Sequence, residues 1–109
     1  MTINEYQELA QRTANRTLNA KEKLFNGVMG LCGESGECID LLKKARFQGH
    51  IVTTDKLIEE LGDVAWYLAE AASALEMDLE EVLQRNVEKL RARYPEGFSA
   101  EKSINRQEK

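Results

Sequence analysis

Two short carboxylate pairs, Glu34-x-x-Glu37 and Glu60-x-x-Asp63, have the types and spacing to do chemistry. Residues three apart on a helix are surface neighbours, about 5–6 Å between Cβ atoms, so each pair can present its oxygens together. A chain with 19 acidic residues produces some such pairs by chance, and most of those only face water. Three features set these two apart. Both lie in helical patterns joined by one loop, so an antiparallel hairpin brings them face to face. Leu31, Cys38, Leu61, Val64 and Ala65 surround them, which puts the carboxylates beside a buried stripe. Neither pair has a lysine or arginine to explain it as a surface ion-pair ladder, apart from Lys56 before Glu60, which runs in the weaker orientation.

Four converging carboxylates repel one another unless some are protonated or a cation sits between them. An all-oxygen donor set suits a hard ion, Mg²⁺ with Mn²⁺ as substitute, and magnesium would take further ligands from water and substrate phosphates. Gly27, Gly30, Gly33 and Gly36 recur every three residues beside the first pair, and Gly62 lies inside the second. Each costs a helix interior about 1 kcal/mol relative to alanine. Two explanations stand open: close helix–helix packing, and close approach of backbone to metal or ligand.

The elements that must position these residues are helical. Thr2-Ile3-Asn4-Glu5 is a capping box that opens a helix to about Thr17, with Ile3, Tyr6, Leu9, Ala10 and Thr13 on one stripe. A second helix spans about Ala20 to Phe47, with Leu24, Val28, Leu31, Cys38, Leu42 and Ala45 as its buried stripe. Gly49 and His50 mark the break after it. A third spans about Thr54 to Glu76, with Leu57, Ile58, Leu61, Val64, Ala65, Leu68, Ala72 and Leu75 facing inward. The fourth follows Asp78, with Leu79, Val82, Leu83, Leu90 and Tyr94 as its apolar face, and stops at Pro95 and Gly97. The pattern predicts an all-α fold, an antiparallel bundle of about four helices completed by oligomerisation, over residues 1–98. Residues 99–109 read as a loose polar tail or a partner-dependent arm.

Composition bounds the reading further. At 109 residues the chain makes one domain, and its charge of −4 argues against a nucleic-acid partner. No stretch approaches the roughly 18 apolar residues of a membrane span, and the polar N-terminus is unlike a signal peptide. Cys32 and Cys38 lie on different faces of one helix and form neither a mutual disulfide nor a zinc pattern, so both read as small core residues of a cytoplasmic protein. His50 stands alone, which leaves no His-based triad, and the Glu-x-x-His motif of a di-iron bundle is missing. The glycine-rich phosphate loop Gly-x-x-x-x-Gly-Lys is also missing.

Three ordered blocks carry a resemblance. They are Gly33-Glu34-Ser35-Gly36-Glu37, then Glu59-Glu60-Leu61-Gly62-Asp63-Val64-Ala65-Trp66-Tyr67-Leu68, then Asn86-Val87-Glu88-Lys89-Leu90-Arg91-Ala92-Arg93-Tyr94-Pro95. Over about residues 22 to 98 the chain resembles the MazG-like nucleoside triphosphate pyrophosphohydrolases. The resemblance implies an all-α dimer or tetramer that cleaves between the α and β phosphates and clears non-standard nucleotides. It assigns Glu34, Glu37, Glu60 and Asp63 to magnesium. One of Glu34 and Glu37 would act as the catalytic base, and Tyr67, Asn86, Lys89 and Arg93 would hold the polyphosphate.

Plainer roles remain open for several of these. Basic residues near a helix C-terminus are favourable in any protein, which covers Lys89 and Arg93 as well as Lys43, Lys44 and Arg46. Trp66 reads as core or dimer contact before base-stacking platform. Two rival functions share the fold: a narrower hydrolase, for phosphoribosyl-ATP, dUTP or dCTP, and a non-enzymatic helical interaction module. All four acidic positions are filled, which argues against the second.

Overall fold

A computed structural model describes residues 1–106. It is all-helical, with α1 Ile3–Gln11, α2 Ala20–Phe47, α3 Thr54–Ala74, α4 Leu79–Arg93 and α5 Ala100–Ile104, and no strand among the described residues. Two compact units are present: Met1–Leu79, and the segment from Glu80 onward.

Local chemistry sets the helix ends. Thr2 and Glu5 close the expected capping box, and Asn19 with Glu22 closes another that opens α2. α1 stops at Gln11 rather than near Thr17. Thr13 turns its hydroxyl back to the Ala10 carbonyl at 2.8 Å, and the Asn15 side chain accepts from the Thr17 amide and hydroxyl at 3.0 and 2.7 Å. Such side chains offer the backbone an alternative to the helix. α3 ends two residues early because Glu76 adopts a left-handed φ of 56°. The Met77 amide then reaches the Ala72 carbonyl at 2.9 Å and the Glu76 amide reaches Ser73 at 3.0 Å, a Schellman closure.

In the first unit, α1 and α2 both pack against α3. Gly27 meets Ala71, Gly30 meets Tyr67, and Glu34 meets Asp63 and Glu60, so numbering falls along one helix as it rises along the other: α2 and α3 are antiparallel. A Cβ at Gly27 would stand 2.7 Å from the Ala71 backbone nitrogen, and one at Gly30 would enter the Tyr67 ring. Close packing therefore explains these two glycines. Gly33, Gly36 and Gly62 face open space.

The seam is built from small and polar groups, and this overturns part of the expected core. Gly27, Ala69, Ala71, Ala72, Glu60 and Glu70 are buried, and α1 adds Gln7 and Ala10. Ile3, Leu9, Val28, Leu42, Ile58, Leu61 and Leu75, all expected inside, are exposed in the single chain, Leu61 by 59%. So is Cys32, while Cys38 is half-buried. Helical periodicity reports that a stripe exists but not its angle to the neighbouring helix. Here glycine and alanine let the helices meet closely, and the large apolar side chains flank the contact.

The second unit begins within α4. Arg85 pairs with Glu81 at 3.0 Å, and the Tyr94 and Phe98 rings lie 5.4 Å apart across the turn at Gly97. Ser99 caps α5, so a short helix stands where a loose tail was expected. The last three residues of that tail lie outside the described residues.

Candidate functional site

The α2–α3 seam carries the carboxylates. Glu34, Glu60 and Asp63 each offer an oxygen, and these oxygens lie within 4.8 Å of one another. Glu60 is buried, 8% exposed, Glu34 is half-buried and Asp63 faces solvent. Glu37 is exposed and outside this group. Glu37 lies three residues after Glu34, and its charge still acts on the Glu34 carboxyl. Of the four expected carboxylates, Glu34, Glu60 and Asp63 bring oxygens within this mutual distance.

Electrostatics show what the cluster lacks. Glu34 is raised above the usual carboxylate range, first by its hydrogen bond with Glu60, then by desolvation and by the charges of Asp63, Glu60 and Glu37. Carboxylates that crowd one another in this way mark a site short of positive charge. The nearest cation is Lys56, 3.2 Å from Glu60 and 3.7 Å from Glu59. The donor set is all oxygen and the oxygens are close enough to share one small ion, so these residues fit a hard divalent cation.

Beside the cluster, Glu34, Asp63, Trp66 and Tyr67 line an open cleft of about 330 Å³. Tyr67 lies one turn beyond Asp63 on the same face, and the aromatic pair stacks edge to face at 5.0 Å. Trp66 donates its indole N–H to the Ala10 carbonyl at 3.0 Å and the Thr13 hydroxyl at 2.8 Å, which clamps α1 to α3 while its ring borders the cleft. Burial, and secondarily the Asp63 charge, raise the Tyr6 hydroxyl on α1. Asn86, Lys89 and Arg93 share a face of α4, in the second unit. Lys44 pairs with Asp40 at 2.9 Å, in keeping with the helix-end role, and His50 is exposed in the loop.

A second polar cluster follows along the seam and was not anticipated. Glu70 is fully buried, accepting from Lys23 at 2.6 Å, Gln11 at 3.1 Å and Asn26 at 3.2 Å. Burial raises this carboxyl, but the hydrogen bonds from Lys23, Gln11 and Asn26, with the Lys23 charge, outweigh it and hold the group below its usual range. The sequence signal was available: Glu70 follows Asp63 by seven residues and Tyr67 by three, so it continues the same stripe.

The sequence model of the MazG nucleotide pyrophosphohydrolase domain matches residues 26–98, a span that holds both carboxylate pairs, the cleft and α4. The chain belongs to that family. The MazG match begins at Asn26, which leaves α1 and the first turns of α2, with Gln11 and Lys23, outside the shared domain. The chain is also similar to the Gene 37 protein of Mycobacterium phage L5, 37% identical over 114 residues that cover 97% of this chain and all of the phage protein. No solved structure matches it. No helix among the described residues is long and apolar enough to cross a membrane.

Proposed function

We propose that this MazG domain is a Mg²⁺-dependent nucleoside triphosphate pyrophosphohydrolase, cleaving NTP or dNTP between the α and β phosphates to the monophosphate and pyrophosphate. The observation that carries the reading is the shared reach of Glu34, Glu60 and Asp63 at the edge of the Trp66–Tyr67 cleft, in a chain of this family. A bound divalent ion would neutralise phosphate charge and make a coordinated water more acidic. The residues supply the rest. Glu34, Glu60 and Asp63 hold the ion and so place the triphosphate. Glu37 completes the ligand set, and whichever of Glu34 and Glu37 is not committed to the ion takes the proton of the water that attacks the α phosphorus. The new P–O bond forms as the α–β bridging bond breaks, and the electron pair leaves with pyrophosphate. Tyr67 donates to a phosphate oxygen, and Asn86, Lys89 and Arg93 serve as further phosphate ligands.

The working unit is a cytoplasmic homodimer or homotetramer. Phe25, Met29, Ile39 and Ile58 are more than half exposed in the single chain, and Leu24, Phe25 and Val28 line a wholly apolar recess. An apolar face of that size is ordinarily covered. Clearance of non-standard nucleotides is the role we assign.

The test is a panel of standard and modified triphosphates incubated with Mg²⁺, reading pyrophosphate and orthophosphate separately. Pyrophosphate with monophosphate is the expected result. Orthophosphate alone would mean attack at the γ phosphorus, and no turnover at all would favour a binding module. Turnover of one triphosphate only would favour the narrower hydrolase.

A further inference from the structure

Lys56 occupies a position that its own helix does not favour. It lies in the first turn of α3, three residues after the Thr53 cap, where the partial positive charge of the helix end disfavours a cation. It also precedes Glu60 by four residues, the weaker order for a helical ion pair. Yet its ammonium sits 3.2 Å from the buried Glu60 carboxylate and reaches Glu59 at 3.7 Å. Both pairs span about one helical turn, so local geometry allows them, and what sets this lysine apart is that Glu60 belongs to the seam. Glu60 is buried beside Glu34 and Asp63, and Lys56 is the cation the structure brings to it.

We propose that Lys56 is a positioning residue, a tethered counter-ion that holds the Glu60 carboxylate in place before metal arrives and competes with the metal for it. This rests on the metal reading of Glu34, Glu60 and Asp63. A divalent ion entering the cluster displaces the ammonium from Glu60 or works against its charge, so Lys56 weakens metal affinity. The chain thereby keeps the Glu60 carboxylate ordered without metal, and the site fills at a higher metal concentration than the same carboxylates would without the lysine. An ammonium on a flexible stem can swing away into solvent, which a buried cation could not do.

The experiment is calorimetric titration of the full chain with Mn²⁺, without nucleotide, for wild type, Lys56→Met, Lys56→Arg and the control Lys21→Met. Lys21 is exposed about 20 Å along α2 from Glu34, more than two screening lengths away. Lys56→Met should bind Mn²⁺ roughly threefold to tenfold more tightly. Lys56→Arg should stay within about twofold of wild type because it restores the charge. Lys21→Met should match wild type. In thermal melts the Mn²⁺-induced rise in midpoint should be larger for Lys56→Met than for wild type, a readout that is independent of activity. Unchanged or weaker binding by Lys56→Met, with wild type binding normally, overturns this proposal and leaves the metal reading standing. Failure of wild type to bind Mn²⁺ overturns both.

Discussion

A carboxylate oxygen of Glu34 on α2 and one of Glu60 on α3 lie within 4.8 Å of each other across the seam, and this crowding, first through Glu60, pushes Glu34 above the ordinary carboxylate range. The sign of the resulting pH dependence follows. Glu34 is raised in the folded chain, so its contribution to stability is complete below the ordinary carboxylate pKa, about 4.3, and is lost as pH rises through the raised value. In EDTA, wild type should lose ground to Glu34→Gln as pH rises above about 4.3, because the amide carries no charge to repel Glu60 and Asp63. Mn²⁺ affinity should weaken as pH falls, since metal and proton compete. A wild-type and variant pair that melts in parallel as pH rises would contradict the crowding of charge at Glu34.

Removing a ligand charge separates metal binding from folding. Asp63→Asn should abolish turnover and most of the Mg²⁺-induced stabilisation, because a neutral oxygen binds Mg²⁺ poorly. The metal-free protein should melt no lower than wild type, since one repelling charge is gone. Paired melts with and without Mg²⁺ read both effects. Leu61→Ala serves as contrast: at 59% exposure in the single chain it should cost well under the roughly 2–5 kcal/mol of a buried leucine, unless a second copy covers it.

The Glu70 cluster ties α1, α2 and α3 together and should govern acid stability. Glu70→Gln leaves Lys23 without its anion and should cost about 2–4 kcal/mol at pH 7. Because the Glu70 carboxyl is lowered, its stabilisation is complete above about pH 4.3 and fades as pH falls through the depressed value. Urea titrations at pH 7 and pH 3 should therefore show the gap between wild type and variant narrowing.

Gly30 holds the cleft wall in place. Its missing Cβ is what lets the Tyr67 ring lie against α2. Gly30→Ala gains helix propensity but forces that ring to move, for a net loss of about 1–2 kcal/mol. It should also lower activity, as Tyr67 lines the cleft. Gly33→Ala faces open space in the single chain and should be neutral or stabilising there. Denaturant melts of the two variants compare them directly.

Glu76 tests the helix ending. A non-glycine residue at φ 56° carries about 1–2 kcal/mol of left-handed strain. Glu76→Gly should relieve most of it and, after the added freedom of the unfolded chain, raise stability by about 0.5–1 kcal/mol. Chemical unfolding at neutral pH measures the gain.

Helix type, the limits of α2 and the two carboxylate motifs were legible in the sequence because they depend on local spacing. Capping boxes, 3.6-residue periodicity and i,i+3 neighbours are properties of a short stretch of chain. The antiparallel pairing of the motifs followed from their being joined by one loop. What the sequence could not specify was rotation about the helix axis. Only packing decides whether the seam lies along the leucines or along Gly27, Gly30, Glu34 and their α3 partners, and close approach at the glycines chose the latter. That choice left Leu61 and Ile58 exposed in the single chain. It also buried Glu70, whose place on the stripe is legible locally but whose burial is not, because the partners that make a buried carboxylate tolerable come from residues 44, 47 and 59 positions away in the chain.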